Sequence, residues 1–384
     1  MHTIEGIHYK TGKLIEVVIR DEYIYAIHEI DNEERVNQII APGFVDIQIN
    51  GYKGFDFNKV PLSGEEWKVV SQHLLEIGVT TFYPTIITNT VKQLSEIFKE
   101  NMKVLKDMDM LNNVIGGFHL EGPYLSLQDG PRGAHNKKHI KKPDWEEFCN
   151  LQENAEGQIK LITLSPEWDN AAEFIERLTK SGVKVAIGHT NANSEQIREA
   201  VEAGAILSTH LGNGAHITLP RHPNYIWDQL AEDNLWSSVI SDGHHLPSNV
   251  LKVINQVKEK KMILISDSVA LAGKEPGNYN TSVGGEVTVT ENGRLHLRNE
   301  PNLLAGSAKN LLQGVQHFVQ KGIGNMKEGI NKASIYPASL MDLPVKDGLT
   351  VGAPADLIVL NQNHDDWKVI QTIKYGKKVK DDKL

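Results

Sequence analysis

VKVAIGHTNANSEQIREAVEAGAILSTHLGNG, residues 183–214, is the stretch that decides the fold. One apolar run ends in Gly188-His189-Thr190, and a second run ends in Thr209-His210-Leu211, with a helical pattern between them. Parallel strands joined by a helix point their carboxyl ends the same way, so each strand is expected to deliver a histidine to one rim. In a parallel barrel, that rim holds the active site.

The helix between these two strands has a recognisable start and stop. Ser194 is its expected N-cap, Ile197, Ala200 and Val201 fall at helical spacing, and Gly204 is expected to end it. A single histidine at a strand end is often only a polar surface residue. Two histidines on consecutive strands favour a shared metal or substrate site.

Apolar runs alternate with polar or glycine-rich loops and helical stretches along the middle of the chain. The runs span residues 43–49, 80–87, 114–120, 159–164, 183–187, 205–208, 236–240 and 261–265. Eight strand candidates in βα alternation predict an α/β fold, a (β/α)8 barrel of the TIM type. Ser63 and Glu66 form a predicted capping box at one of the helices. The expected apolar face of this helix is Trp67, Val70, Leu74 and Ile77.

Short β-rich runs lie near both chain ends. They are Leu14–Arg20, Tyr23–Ile27, Ala355–Leu360 and Val369–Ile373. Because chain ends often lie close together, we expect one small sheet domain from residues 1–41 and 346–384, with the barrel in 42–345. Residues 284–297 contain Asn292-Gly293 between alternating residues and predict an inserted hairpin.

Composition narrows the class of protein. The chain has 384 residues, 40% hydrophobic and 23% charged, with a net charge of −9, which argues against a general nucleic-acid or membrane-surface role. An anionic ligand would need a local basic pocket. The one cysteine, Cys149, permits no intrachain disulfide, and no apolar run approaches a membrane span. We therefore expect a cytoplasmic enzyme.

Polar residues at the predicted strand ends form a pattern with chemical meaning. Glu121, His189 and His210 supply three nitrogen or oxygen ligands and leave a fourth position for water, as in a catalytic Zn²⁺ site. Their spacing also permits Fe²⁺, Co²⁺ or Mn²⁺. Asp267 follows the eighth run and is the candidate general base, although an isolated aspartate there more often caps a helix.

Several segments resemble the motifs of the N-acetylglucosamine-6-phosphate deacetylases of the amidohydrolase superfamily. They are APGFVDIQING (41–51), HLEGPY (119–124), GAHN (133–136), IGHTNA (187–192), THLGNG (209–214), DGHH (242–245), SDS (266–268) and LAGSA (304–308). The resemblance implies a barrel with a small β-sandwich and a homodimer. It also implies hydrolysis of the acetamide of an amino-sugar phosphate to the amine and acetate.

By motif position, the resemblance implies one divalent metal per chain, held by Glu121, His189 and His210. It also implies that Asp267 is the acid and base, and that His135 polarises the acetyl carbonyl. Without the motif, His135 would be an ordinary loop histidine. The positions implied to contact the substrate are Gln48, Asn213, Gly214, Arg221 and His245.

The chain departs from the family pattern at several positions. Gln48-Ile49-Asn50 replaces the His-x-His of many superfamily members, which implies that a second metal site is lost. Gly212–His216, Pro220–Leu230 and His244 are also unusual, and they cluster around the sugar and phosphate contacts. Two alternative hypotheses therefore stay open. One is deacetylation of another N-acyl compound, such as N-acetylgalactosamine 6-phosphate, an unphosphorylated amino sugar or an N-acyl amino acid. The other is a non-catalytic scaffold.

Overall fold

The structure is a computed structural model, and it describes residues 1–31, 37–59, 62–108, 113–281, 285–363 and 366–381. In chain order the strands are β1 (His2–His8), β2 (Leu14–Arg20), β3 (Tyr23–Glu29), β4 (Gln38–Pro42), β5 (Phe44–Ile49), β6 (Gly51–Tyr52), β7 (Phe55–Asp56), β8 (Val79–Ile87), β9 (Phe118–Glu121), β10 (Ile159–Leu164), β11 (Lys184–Ile187), β12 (Ala205–Ser208), β13 (Trp236–Ile240), β14 (Met262–Ile265), β15 (Gly277–Thr281), β16 (Gly285–Val289), β17 (Leu295–Leu297), β18 (Leu357–Asn363), β19 (Asp366–Lys374) and β20 (Lys377–Asp381).

The helices surround the barrel or cover its ends. They are α1 (Gly64–Glu76), α2 (Val91–Lys106), α3 (Trp145–Asn154), α4 (Ala171–Lys180), α5 (Ser194–Glu202), α6 (Tyr225–Ala231), α7 (Ser248–Lys258), α8 (Leu311–Gln320), α9 (Met326–Ala333) and α10 (Ile335–Leu340). Single 3₁₀ turns span Lys137–His139, Glu259–Lys261 and Pro344–Asp347. None of these helices is both long and apolar enough to cross a lipid bilayer.

The predicted (β/α)8 barrel is confirmed. Its parallel strands follow the order β5, β8, β9, β10, β11, β12, β13 and β14. The two outer strands meet where the Asp267 N–H donates to the Gln48 carbonyl at 2.9 Å. The third strand begins at Phe118, later than the predicted run of 114–120, because Gly117 interrupts the extended chain at φ +128°.

Helix α5 is confirmed, but its N-cap is Asn193 and not the predicted Ser194. The Asn193 side chain accepts from the Gln196 N–H at 3.0 Å, and the Gln196 side chain accepts from the Asn193 N–H at 2.9 Å. Asn193 is the cap because a polar residue three positions later completes this reciprocal pair, whereas Ser194 would face the apolar Ile197. Gly204, at φ +111°, follows the end of the helix as predicted.

The capping box at α1 is confirmed, with Ser63 and Glu66 bonded to each other's backbone N–H groups. Trp67, Val70 and Leu74 of its apolar face are buried.

The opposite end of the barrel from the predicted site is closed by α10, whose Ala338 and Leu340 pack with inward side chains of the strands. A close-packed apolar core therefore fills the end of the barrel opposite the predicted site.

The two chain ends pair in one continuous seven-stranded sheet, which forms the small β-sandwich domain expected of them. Its strand order is β20, β19, β18, β4, β1, β2 and β3, so β4 joins the amino-terminal strands to the carboxyl-terminal ones. The Thr372 hydroxyl donates to the carbonyl of Leu75 in α1 at 2.7 Å and ties this sheet to the barrel. The limits 1–41 and 346–384 stay a prediction, and β4 runs one residue beyond 41.

Candidate metal centre and active site

Four predicted site residues lie at the carboxyl ends of barrel strands. Glu121 is the last residue of β9, and His189, His210 and Asp267 each lie two residues beyond the end of their strand. Glu121, His189 and His210 are buried, and Asp267 is half-buried. Because every parallel strand ends at the same rim, the fold collects residues that are far apart in the chain.

Glu121, His189 and His210 bring three ligand atoms together. Oε1 of Glu121 lies 3.2 Å from Nε2 of His189 and 3.0 Å from Nε2 of His210, and the two imidazole nitrogens are 3.1 Å apart. Ligand atoms at about 2.1 Å from a tetrahedral Zn²⁺ lie about 3.4 Å from each other. The triangle therefore has nearly the dimensions of one face of such a site, and these residues could hold a metal ion.

The hydrogen bond made by Nδ1 of His189 also favours a cation at this site. Its Nδ1–H donates to the Pro131 carbonyl at 2.8 Å, so the neutral imidazole has a bare lone pair on Nε2. In this neutral form the lone pair faces the Glu121 carboxylate at 3.2 Å, which places two acceptors against each other unless a proton or a metal ion lies between them. A cation between them turns this repulsion into attraction, and the carbonyl on Nδ1 is a common second partner of a metal-binding histidine.

Charge in the cluster is balanced between acid and bases. Burial by itself raises the pKa of Glu121, but hydrogen bonds and charge from His189 and His210 outweigh burial and hold that pKa well below its ordinary value. Burial lowers the pKa of His210, and its bond to Glu121 more than compensates and raises it. The carboxylate therefore stays ionised, which is the form that binds a metal.

Asp267 and Glu121 each accept a hydrogen bond from an amide side chain. Its Oδ1 accepts from Nδ2 of Asn50 at 2.8 Å, and Nε2 of Gln48 donates to Oε1 of Glu121 at 2.9 Å. Burial, and then repulsion by Glu121, raises the pKa of Asp267 to about 6. A carboxyl group with this pKa can both accept and return a proton near neutral pH.

Three of the four residues adopt unfavourable backbone angles. The φ angles of His189, His210 and Asp267 are +50°, +30° and +45°, in the left-handed region that costs energy for residues other than glycine. The sharp turn after each strand aims these side chains inward. Such strain is typical of sites where the surrounding structure imposes a geometry for function.

His135 also lies against the cluster. Its ring centroid is 4.4 Å from that of His189, with the planes at 72°, and its Nδ1 is 2.8 Å from Oγ1 of Thr88. Burial, followed by the nearby charge of His189, lowers the pKa of His135 to about 3, so this imidazole is neutral. Thr88 was not predicted as a site residue, because its 47-residue separation from His135 leaves no spacing signal.

Asn213 and Gly214 lie beside the two histidines. Nδ2 of Asn213 donates to the His210 carbonyl at 3.2 Å. Gly214 has φ +55°, and a Cβ there would lie 2.6 Å from Nδ1 of His189, so only glycine fits this close approach. These two positions therefore help hold His189 and His210.

His245 is paired with an acid that the sequence analysis did not single out. Its Nδ1 lies 2.7 Å from Oδ2 of Asp242, and Oδ1 of Asp242 accepts from the N–H groups of His244 and His245. Although burial raises the pKa of Asp242, the bonds from His245 lower it to about 2. The three-residue spacing of this pair within DGHH was the signal that could have identified Asp242.

Arg221 does not join the metal ligands. Its side chain is exposed, and within the described residues it makes no ion pair. The neighbouring Pro220 and Pro223 line a surface cavity of about 330 Å³ together with His216 and Tyr225. Arg221 therefore remains a predicted substrate contact that lies outside the buried cluster.

The predicted inserted hairpin is present as β16 and β17, and β15 extends it to three strands. Gly284, the first residue of its predicted range, lies outside the described residues. The Asn292 carbonyl in its turn is 3.2 Å from Nε2 of His244. The insertion therefore contacts the loop that carries Asp242 and His245.

The chain was compared with known proteins. A profile of the amidohydrolase family matches residues 39–379. The sequence is similar to the N-acetylglucosamine-6-phosphate deacetylase of Danio rerio, with 31% identity over 371 residues, covering 93% of this chain and 89% of that protein. It is also similar to the enzyme of that name from Bacillus subtilis, with 32% identity over 344 residues, covering 88% of this chain and 84% of that protein.

A solved structure shows the same architecture over the whole chain. It is a variant of N-acetyl-D-glucosamine-6-phosphate deacetylase from Mycobacterium smegmatis in complex with N-acetyl-D-glucosamine-6-phosphate. The TM-score is 0.86 at 25% identity, and the match covers 99% of this chain and 100% of that one. The likeness therefore includes both the barrel and the sheet of the chain ends.

Proposed function

The chain belongs to the amidohydrolase family and, within it, to the N-acetylglucosamine-6-phosphate deacetylases, and from this premise we propose that it hydrolyses N-acetylglucosamine 6-phosphate. The products are glucosamine 6-phosphate and acetate. The observation that carries the proposal is the buried cluster of Glu121, His189 and His210, with the Asp267 carboxyl close enough to be repelled by Glu121.

We assign one divalent metal per chain to Glu121, His189 and His210, with Zn²⁺ favoured by two imidazoles and one carboxylate, and Fe²⁺, Co²⁺ or Mn²⁺ as alternatives. When bound, the metal supplies Lewis-acid activation of water and of the acetyl carbonyl. The amides of Gln48 and Asn50 already donate to Glu121 and Asp267, which supports a single ion.

Asp267 moves the proton. It accepts a proton from the attacking water as the new carbon–oxygen bond forms at the acetyl carbon. It then returns that proton to the nitrogen as the carbon–nitrogen bond breaks, so that amine and acetate leave. His135 stabilises the charge on the acetyl oxygen. When Nδ1 of His135 accepts from the Thr88 hydroxyl, the imidazole carries its hydrogen on Nε2 and can donate it to that oxygen.

Substrate binding is assigned to Gln48, Asn213, Gly214, Arg221 and His245. His245 is oriented by Asp242, which leaves its Nε2 available for the sugar phosphate. Arg221 is exposed in the single chain, which supports its contact with substrate bound in a second copy, and we therefore propose a homodimer. The lone Cys149, which can form no intrachain disulfide, supports a cytoplasmic location.

A second candidate is deacetylation of another N-acyl compound, and the unusual Gly212–His216 segment beside His210 favours testing it. The experiment is an acetate-release screen of purified, metal-loaded protein. The substrates are N-acetylglucosamine 6-phosphate, N-acetylgalactosamine 6-phosphate, both free sugars and N-acetyl amino acids. Highest kcat/KM on N-acetylglucosamine 6-phosphate is expected. A higher value on another compound selects the second candidate, and no release from any of them favours the non-catalytic scaffold.

A further inference from the structure

The loop after β9 carries a charge opposite to that of the protein. Residues 128–142 contain one carboxylate, Asp129, and five cations: Arg132, Lys137, Lys138, Lys141 and Lys142. Their net charge is +4 within a chain total of −9, so the remainder of the chain carries −13. A phosphorylated substrate approaching this loop therefore meets local attraction in a protein of net negative charge.

The basic loop forms one wall of the proposed metal site. The Pro131 carbonyl accepts from Nδ1 of His189 at 2.8 Å. A Cβ at Gly133 would lie 3.1 Å from Cε1 of His189, and the His135 ring is 4.4 Å from the His189 ring. Lys137 and Lys138 follow His135 by only two and three residues, so the loop brings their charge near the site.

The cations of the loop divide into two groups. Arg132 pairs with Asp129 at 2.6 Å, and Lys141 pairs with Glu147. Lys137 and Lys138 on the 3₁₀ turn, and Lys142 after it, are exposed, and among the described residues none of the three forms an ion pair. Pairing accounts for the first group. In the second group Lys137 and Lys138 lie nearest to His135 in the chain, and the charge of Lys137 also contributes to lowering the pKa of Asp129, after the larger effect of Arg132.

We infer that Lys137 and Lys138 attract the anionic substrate electrostatically and so contribute to selecting the phosphorylated sugar. This inference rests on the proposed function. Lysine ammonium groups in water hold a phosphate weakly by contact, but they raise the local concentration of a dianion at the entrance. Arg221 serves a separate purpose in the proposal, as a direct contact to bound phosphate.

The effect has a predictable size and salt dependence. For two cations about 10 Å from a dianion in water, Coulomb attraction screened at 10 mM ionic strength corresponds to about sevenfold in kcat/KM. At 150 mM ionic strength the same attraction falls to about twofold. The chemical step is untouched, so kcat is expected to stay constant.

The experiment compares wild type with Lys137→Gln/Lys138→Gln on N-acetylglucosamine 6-phosphate and on free N-acetylglucosamine, at both ionic strengths. The matched control is Lys260→Gln/Lys346→Gln. Both of its lysines are exposed at the end of the barrel where the strands begin. Lys260 lies two residues before β14. Lys346 lies four residues after Asp342, which forms an ion pair with the first residue of β11. Loss of kcat/KM is expected only for the loop variant, only with the phosphorylated sugar, and mainly at low salt.

Two outcomes overturn the inference alone. One is an unchanged kcat/KM for the loop variant in an enzyme that prefers the phosphorylated sugar. The other is an equal loss on both sugars at both salt concentrations, which would indicate altered packing around His135. A wild-type enzyme that hydrolyses neither sugar instead overturns the proposed function, so the two failures are distinguishable.

Discussion

Replacing Asp267 by asparagine separates its chemical role from its structural one. Asparagine has the same shape, and its side-chain oxygen can still accept from Nδ2 of Asn50, which donates to Oδ1 at 2.8 Å. The ligand atoms of Glu121, His189 and His210 are unchanged, so metal content should stay at the wild-type level. Loss of the proton carrier is expected to lower kcat by about 10²–10⁴.

The same substitution should stabilise the metal-free protein. Burial, and then repulsion by Glu121, raises the pKa of Asp267 from its ordinary 3.8 to about 6. Because the folded protein holds this proton more tightly than the unfolded chain, stability is lost as pH rises from about 4 to 6, and the full penalty applies above that range. The shift corresponds to about 3 kcal/mol at pH 7, which the neutral amide avoids.

The assay measures acetate release, metal content by elemental analysis and urea unfolding of the metal-free protein at pH 7 and at pH 4. The control is Asp169→Asn, a neutralisation at an exposed position, which should change none of these quantities. Near-normal turnover of the Asp267→Asn enzyme with full metal content would refute the assignment of Asp267 as acid and base. An unchanged free energy of unfolding would refute the argument from burial.

Three further predictions concern the metal and the phosphate. His210→Ala should lose metal and activity together, because only two ligands remain, and two metal equivalents per active wild-type chain would contradict the single site. Arg221→Ala should weaken binding of the phosphorylated sugar by about 1.5–3 kcal/mol, seen as a raised KM, and an equal loss on the free sugar would argue against it. Gly214→Ala places a methyl group 2.6 Å from Nδ1 of His189 and should lower metal affinity in a titration. Gly322→Ala has a similar φ of +58° and nothing within 4 Å, and so controls for backbone strain.

Much of the site could be predicted because it follows from strand ends. Glu121, His189 and His210 were identified from their places after apolar runs, and the barrel confirms that these places share one rim. The assignments of His135 and Arg221 came from family resemblance. The structure places His135 against the cluster and leaves Arg221 exposed. Neither position could be predicted from strand ends, because the order of strands in a barrel does not determine how a long loop folds.

The exact first residue of a helix or strand could not always be predicted from the local sequence. Ser194 and Asn193 are both good N-cap residues, and the choice between them depended on which one has a polar partner three positions later. The beginning of β9 was predicted too early, because a glycine turn inside an apolar run has the same composition as a strand. Period and composition therefore identified the elements better than their boundaries.

The sequence by itself determined the barrel, the sheet of the chain ends and the rim that carries Glu121, His189 and His210, because hydrophobic period and strand polarity are local properties. The tertiary structure alone decided the contacts between distant residues. Glu121 meets His210 across 89 residues at 3.0 Å, and Thr88 meets His135 across 47 residues at 2.8 Å. Such distances depend on the register of neighbouring strands and on the packing of loops above them, and no short stretch of sequence contains either.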